Sequence, residues 1–181
     1  MIRCEGVTFT YADRAPALTR LDLEIGAGER VAIEGEAGIV FQDPAATRSG
    51  VTGTVFEEVA VGPVNLGRSV SETIAAVRAA LRTVGIEDLA ERHPAHLSGG
   101  QAQLLSIASA VAMGPGLLVL DEPTAQLDPE ATDTVVAALR SLAARGTALL
   151  IAEHRLDVLD ALGARRIALG GGRLTPTGDR A

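Results

Sequence analysis

The chain has 181 residues, 47% of them hydrophobic and 22% charged, which is enough apolar material for the core of one globular domain. Its formal net charge of −7 argues against attraction to nucleic acid or anionic lipid, and we expect no nucleic-acid partner. The single cysteine excludes an internal disulfide. The apolar stretches fall far short of the roughly 20 residues of a membrane span, and we expect no export leader at the start.

Three β-strands are predicted near the start of the chain. Residues 2–9 and 18–25 alternate apolar and polar positions, as half-buried strands do. Residues 30–34 follow a glycine-containing turn and form the third strand. We expect these strands to form a small antiparallel sheet, within an N-terminal β region that covers residues 1–42.

The next region, residues 43–101, is predicted to be helical. Ser69 and Glu72 have the spacing of a capping box, which marks the start of a helix. The apolar residues of that helix recur at helical spacing and lie on one stripe. They are Ile74, Val77, Leu81 and Val84.

The last region, residues 102–181, alternates strands and helices. The segment "GLLVLDEP" is a continuous apolar run that ends in two carboxylates, which is typical of a buried parallel strand. Asp128 and Pro129 are suited to a helix start, and Gly146 to a helix end. A second buried strand ("TALLIAEH"), a short helix at 155–162 and a terminal hairpin follow. This alternation predicts an α/β fold with a parallel sheet flanked by helices.

The motif "LSGGQ" at residues 97–101 places two glycines at the start of a helix that we predict to run to Met113. Backbone amides at a helix N-terminus form an anion site, and glycine lets a phosphate approach closely. A glycine turn capped by Ser98 is the alternative explanation.

A second motif, "LLVLDEPTAQLD" at residues 117–128, delivers Asp121 and Glu122 to the carboxyl end of a strand. Functional sites of α/β sheets usually lie at such ends. Asp121 suits Mg²⁺, directly or through water, and Glu122 suits a general base that positions water for attack on a phosphate. Two solvated turn carboxylates are the alternative.

Two further candidates are single residues. His154 ends the apolar run "LLIAEH", where an isolated histidine is more often structural than catalytic; beside the preceding motifs the catalytic role is favoured. Tyr11 follows the first strand and could stack on a purine, or could be an ordinary aromatic residue at a strand end.

In order and spacing these motifs resemble the nucleotide-binding subunit of an ATP-binding-cassette (ABC) transporter, over nearly the whole chain. The resemblance implies a single ABC ATPase domain over residues 1–181 with a P-loop NTPase-like sheet, an N-terminal antiparallel β subdomain and a helical signature subdomain. It implies ATP and Mg²⁺ as cofactors and transport coupled to ATP hydrolysis. The matching positions are Tyr11 for adenine stacking, Gln42 of the glutamine loop as a catalytic residue and Mg²⁺ ligand, Leu97, Ser98, Gly99, Gly100 and Gln101 of the signature, Asp121 and Glu122 of the Walker B strand, Asp128 of the loop after it, and the switch histidine His154.

Within this family, "TVFEEVAVGPVNLG" at residues 54–67, together with "TAQLDP", resembles the energy-coupling-factor group, which drives uptake of vitamins or of cobalt and nickel ions. The resemblance implies two partners, a transmembrane transporter subunit and a second ABC ATPase subunit, and a cytoplasmic location on the inner face of the cell membrane. In the family's head-to-tail dimer, ATP lies between subunits. Each site takes its signature from one chain and its other elements from the other chain.

The stretch "VAIEGEAGIVFQDP" at residues 31–44 departs from the family. Its strand should be followed by a Walker A loop, G-x-x-x-x-G-K-[ST], and a helix. Here "GEAG" continues directly into "IVFQDP", and the sequence contains no lysine. The planar fork of arginine does not replace the compact ammonium of that lysine. We therefore expect a truncated core, with neither tight ATP binding nor hydrolysis by this chain alone.

Three interpretations remain open at this point. The chain is the ATPase subunit of an ABC transporter, or a non-enzymatic partner that lends its "LSGGQ" motif to an intact ATPase subunit, or a non-functional deletion remnant. The second interpretation favours a heterodimer over a homodimer.

Overall fold

The computed structural model describes residues 2–9, 18–25, 28, 30–34, 49–125, 127–170 and 173–176. These residues form the predicted α/β fold, a largely parallel sheet flanked by helices together with a two-stranded ribbon. No helix within the described ranges is long and apolar enough to cross a membrane.

The first two strands form the predicted antiparallel pair. They are β1 (Ile2–Phe9) and β2 (Leu18–Ile25). Their register places Ile2 opposite Ile25 and Phe9 opposite Leu18, with two irregularities between these ends. The prediction of an antiparallel N-terminal ribbon is confirmed for these two strands.

The third strand does not join that ribbon, so this part of the prediction is wrong. β3 (Arg30–Glu34) lies instead in a five-stranded sheet with β4 (Leu117–Asp121), β5 (Ala148–Ala152), β6 (Arg165–Gly170) and β7 (Arg173–Pro176). The order is β4-β5-β3-β6-β7, and β3 is parallel to both of its neighbours. A strand enclosed in this way needs apolar residues on both faces, which the consecutive Val, Ala and Ile of β3 supply.

The sequence after β3 forms five α-helices within the described residues. They are α1 (Val55–Asn65), α2 (Val70–Val84), α3 (Gly99–Ala112), α4 (Pro129–Ala144) and α5 (Leu156–Leu162), with short 3₁₀ turns at Glu87–Leu89 and Pro94–His96. The predictions for α2 to α5 and for the β6–β7 hairpin are confirmed. Helix α1 lies in the region predicted to be helical, but its own bounds are not among the predictions, although Thr54 and Glu57 form a capping box at its start.

The core lies between the helices and one face of the sheet. Its largest fully buried side chains come from α2, α3, α4, β5 and α5; they include Leu81, Leu105, Leu139, Leu142, Leu149 and Leu159. The predicted stripe of α2 is confirmed for Val77, Leu81 and Val84. It is wrong for Ile74, which is 39% exposed, because the buried face of α2 runs through Thr73, 6% exposed, and leaves Ile74 at its edge.

Candidate functional site

The carboxyl ends of β4 and β5 bring together three of the predicted site residues. The two strands are parallel, with Asp121 opposite Ala152. The ladder continues for one more residue, because the Glu122 N–H donates to the Ala152 carbonyl at 2.8 Å. Glu122 therefore begins its turn beside the residues that follow β5, among them His154. This is the edge at which α/β sheets usually carry their sites.

Asp121 is half-buried and lies on the wall of a cavity of about 430 Å³ between α1, α3 and β4. A second carboxylate on this wall, Glu58, is 6% exposed. The Glu58 carboxylate accepts hydrogen bonds from the Ser49 N–H at 2.7 Å, from the Ser49 hydroxyl at 2.8 Å and from the Thr52 hydroxyl. These donors hold Glu58 in a structural role at this wall.

Glu122 has an unusual backbone conformation. Its φ is +43°, and it is the only non-glycine residue with a positive φ among the described residues. The next residue is Pro123, and a proline ring disfavours helical φ/ψ values in the residue before it. Backbone strain of this kind costs about 1–3 kcal/mol and clusters at functional sites. The strained turn marks Glu122 as the strongest catalytic candidate on structural grounds.

His154 lies between two carboxylates. Its Nδ1 is 3.4 Å from Glu122 Oε1 and 3.5 Å from Glu153 Oε1. The side chains of His154 and Glu122 are 66% and 52% exposed, so both are accessible to a ligand or a partner. The structure therefore places the predicted base and the predicted switch histidine in contact.

Sequence reasoning missed Glu153, which is a buried carboxylate at this edge. Its side chain is 0% exposed. Glu153 Oε2 accepts a hydrogen bond from the Thr124 hydroxyl at 2.6 Å, and Oε1 accepts from the backbone N–H groups of His154 and Arg155 at 2.9 and 3.1 Å. The signal was present in the sequence as a carboxylate directly before His154 and a hydroxyl two residues after Glu122.

The "LSGGQ" motif forms the start of α3 through a capping box. The Ser98 Oγ accepts from the Gln101 N–H at 3.3 Å, and the Gln101 Oε1 accepts from the Ser98 N–H at 3.1 Å. The Ser98 hydroxyl acts here as an acceptor, so its own hydrogen remains for a further bond. The motif thus builds a rigid helix start that still presents one O–H donor.

The two glycines of the motif have different surroundings. A Cβ on Gly100 would lie 2.6 Å from the Ala131 Cβ, whereas a Cβ on Gly99 would lie 3.7 Å from the Leu127 Cδ2, an ordinary contact. Gly100 therefore permits the close packing of α3 on α4. Gly99 is exposed, and no described residue accepts a hydrogen bond from its N–H, as expected in the first turn of a helix.

Asp128 is the N-cap of α4, where its Oδ1 accepts from the Ala131 N–H at 2.8 Å. It shares a cavity of about 350 Å³ with Ser98, Gly100 and Gln101. The described residues that line this cavity do not include Asp121, Glu122 or His154. The structure thus brings the predicted site residues together as two separate groups, one at the ends of β4 and β5 and one at the starts of α3 and α4.

Two predicted site residues, Tyr11 and Gln42, lie outside the described residues. The join at residues 35–48, where the Walker A loop is missing from the sequence, lies outside them as well. Their roles stay predictions based on the sequence.

The residues of this chain do not fit Mg·ATP held by one subunit. The chain has no lysine to neutralise the β- and γ-phosphates. Among the described residues, no group of three or more His, Cys, Asp and Glu side chains could hold a metal ion. Asp121 would therefore hold Mg²⁺ only together with nucleotide phosphates and water, as is usual for this ion.

Comparison with known proteins agrees with these motifs. A family model described as ABC transporter matches residues 24–125. An energy-coupling factor transporter ATP-binding protein, EcfA of Methanothermobacter thermautotrophicus, is 30% identical, with 98% of this chain and 70% of the relative covered. That alignment spans 221 positions against 181 residues here, so at least 40 of its positions are internal gaps in this chain. A gap of this size agrees with the internal shortening inferred from the sequence.

Two further relatives extend the comparison. A cobalt import ATP-binding protein, CbiO of Rhodobacter capsulatus, is 45% identical over 73% of this chain and 46% of its own length. The solved structure of CbiO1 from Clostridium perfringens, part of the ABC transporter complex CbiONQ, superposes with a TM-score of 0.83 at 26% identity, covering 96% of this chain and 86% of that one. This chain spans about half the length of several other curated relatives. Since the family model matches more than half of the chain and EcfA is similar over most of its own length, the chain belongs to the ABC transporter ATPase family.

Proposed function

We propose that this chain is a nucleotide-binding subunit of an uptake transporter of the energy-coupling-factor type, and that it works in a head-to-tail pair with a complete ATPase subunit. In that pair its signature helix α3 closes the nucleotide site of the partner. The observation that carries the proposal is the contrast between an intact helix start at Ser98–Gln101 and a chain without any lysine.

The signature supports the proposal because its donors are ordered before any ligand arrives. The capping box fixes the first turn of α3, and the close contact of Gly100 with Ala131 fixes that turn against α4. A donor held in place in advance stabilises an anion without further ordering cost. Ser98 and Gly99 are both exposed, so a nucleotide carried by a second subunit could approach them.

The residues at the end of the Walker B strand support a more limited role for this chain in ATP hydrolysis. Glu122 and His154 are in contact, and Asp121 directly precedes Glu122 in the chain. Phosphoryl transfer depends mainly on positioning and on neutralisation of charge, and the Walker A lysine supplies much of both. We infer that the site containing these three residues does not turn over by itself, and that hydrolysis takes place at the site of the complete subunit.

The remaining parts of the proposal follow the relatives. The partners are a transmembrane subunit and a complete ABC ATPase subunit, which places the chain on the cytoplasmic face of the membrane. The solute belongs to the class that energy-coupling-factor transporters import, vitamins or cobalt and nickel ions, and the name of the Rhodobacter relative favours cobalt. The division into regions 1–42, 43–101 and 102–181 is part of the same proposal.

The first test uses the transporter complex that co-purifies with this chain. Ser98→Arg places a bulky cation at the signature and should lower ATP turnover of the complex roughly a hundredfold, as loss of one preorganised donor does. Ser69→Arg is the matched control, because Ser69 caps α2 through the same kind of capping box outside the signature. Unchanged turnover with Ser98→Arg rejects the proposal, and so does a failure to co-purify with any complete ATPase subunit.

The second test uses the purified chain alone. We expect no Mg·ATP turnover above background and no change on Glu122→Gln. Turnover that Glu122→Gln abolishes would show that the chain hydrolyses ATP without a Walker A lysine, and the division of labour proposed above would then be wrong.

A further inference from the structure

We propose that Glu153 is a positioning residue, which joins the Glu122 turn to the His154 loop and sets the tautomer of the His154 ring. Its importance for turnover rests on the proposed function. The arrangement itself is a property of this chain and can be tested without nucleotide or partner.

Glu153 connects two segments that are far apart in the sequence. Its Oε2 accepts from the Thr124 hydroxyl, in the turn that begins at Glu122, and its Oε1 accepts from the backbone N–H groups of His154 and Arg155. Thr124 is 1% exposed and the side chain of Glu153 is 0% exposed, so water does not compete for these bonds. Hydrogen bonds to a buried carboxylate are among the stronger ones in proteins. Glu153 therefore fixes the backbone on both sides of the Glu122–His154 contact.

The same carboxylate also faces the histidine ring. His154 Nδ1 lies 3.5 Å from Glu153 Oε1 and 3.4 Å from Glu122 Oε1. Carboxylate oxygens accept hydrogen bonds, and a neutral imidazole carries its proton on one nitrogen. A proton on Nδ1 lies near two acceptor oxygens, whereas a lone pair there would meet the lone pairs of both. We infer the Nδ1–H tautomer, which leaves Nε2 as the acceptor nitrogen on a largely exposed ring.

His93 is an internal reference for the other tautomer, with the proton on Nε2. His93 Nδ1 accepts a hydrogen bond from the Ala95 N–H at 3.1 Å, so the neutral His93 ring must carry its proton on Nε2. With three histidines in the chain, the ring signals can be assigned by single substitutions. The two tautomers give distinct patterns in nitrogen-15 correlation spectra of the imidazole rings.

The test is to record these spectra on the ¹⁵N-labelled full chain at rising pH, until they show the pattern of neutral rings and change no further. We expect the Nδ1–H pattern for His154 and the Nε2–H pattern for His93. The same Nε2–H pattern for both rings would overturn the proposal without any variant being needed.

Variants then test whether Glu153 acts through Thr124. Thr124→Val removes the hydroxyl donor and should shift the His154 ring signals and lower the Nδ1–H population, whereas Thr124→Ser keeps the hydroxyl and should restore both. Glu153→Gln removes the charge with little change of shape and should also lower that population. Glu91→Gln, at an exposed site in the helical region, is the matched control for the loss of a carboxylate.

Folding of each variant is checked by circular dichroism. If Thr124→Val and Glu153→Gln fold and leave the His154 spectrum unchanged, the positioning role is wrong. If either variant does not fold, the wild-type tautomer and the Thr124→Ser spectrum decide, and a Thr124→Ser spectrum that differs from the wild type counts against the proposal. None of these outcomes depends on ATP turnover, so failure of the proposed function and failure of this inference are distinguishable.

Discussion

The strands of this sheet differ in the functional residues that follow their carboxyl ends. After β3 the sequence continues with "GEAG" and then "IVFQDP", with no phosphate-binding lysine. After β4 and β5, by contrast, Glu122 and His154 are in contact and Glu153 accepts three hydrogen bonds. Both segments follow strands of one sheet, since β3 pairs directly with β5.

This difference indicates that the segments of the candidate site are each stabilised by their own local contacts. The turn at Glu122 and the loop at His154 are joined by Thr124 and Glu153, and the signature is held by its own capping box and by contact with α4. These contacts all join residues between Ser98 and Glu153, so a Walker A segment takes no part in them.

The first test removes a buried side chain from α3, the helix that carries the signature. Leu105 lies on α3 and is 1% exposed. Leu105→Ala should lower the free energy of unfolding by about 2–5 kcal/mol, because it removes buried methyl groups and leaves a cavity. The measurement is urea unfolding followed by circular dichroism. Leu66→Ala, at a 60% exposed site, should change the unfolding free energy by less than about 0.5 kcal/mol. Equal effects of the two variants would mean that the helical core does not support the signature.

The second test separates the two glycines of the signature. Gly100→Ala should destabilise the fold by about 1–3 kcal/mol, because the added methyl group would lie 2.6 Å from the Ala131 Cβ and force α3 away from α4. Gly99→Ala meets only an ordinary contact and should leave stability within about 1 kcal/mol of wild type or raise it. Thermal unfolding of the two variants measures the difference. Gly100→Ala as stable as wild type would show that the packing of α3 on α4 does not require a glycine here.

Much of this organisation could be predicted from the sequence, because local signals determine it. Ser69 and Asp128 cap the helices that their residue types predict, and the apolar run at 117–121 forms a parallel strand. The contact between Glu122 and His154 could be expected as well, because parallel strands end at one edge of the sheet.

Other features depend on tertiary contacts that periodicity does not record. β3 has the length and position of a ribbon strand, and only its pairing with β5 and β6 places it in the main sheet. The burial of Glu153 depends on a hydroxyl 29 residues away in the sequence. The packing role of Gly100 depends on Ala131 of the neighbouring helix. Each of these requires knowledge of which elements meet.

The third test compares the capping boxes of α2 and α3 under acid. The pKa of Glu72 is lowered below 4.5, first because the Ser69 hydroxyl donates to its carboxylate and then because the Ser69 backbone N–H does. A lowered pKa in the folded state means that this contribution is present above the unfolded value and is lost as the pH falls through the folded value. The corresponding acceptor in α3 is Gln101, which does not titrate.

We therefore expect the stability advantage of wild type over Glu72→Gln to be constant near neutral pH and to shrink below about pH 4.5. Urea midpoints of both proteins across this range measure the effect. Hydrogen exchange should show the first turn of α2 losing protection on acidification before that of α3. Parallel losses in both helices would mean that the signature also depends on a titrating group.

The smallest expected effect concerns a polar group that the retained core leaves unsatisfied. Thr73 Oγ1 is buried without a hydrogen-bond partner, the only such side-chain atom among the described residues, and Thr73 as a whole is 6% exposed. Replacing a buried unsatisfied hydroxyl with a methyl group removes a desolvation cost. Thr73→Val should thus leave the free energy of unfolding unchanged or raise it by up to about 1 kcal/mol. Thr132→Val is the matched control, since Thr132 is equally well buried but accepts a hydrogen bond from Arg155 at 3.2 Å, and its loss should destabilise the fold. If Thr73→Val is the more destabilising of the two, a partner for that hydroxyl exists in the folded protein, and the helices around α2 pack differently from the arrangement that supports the signature.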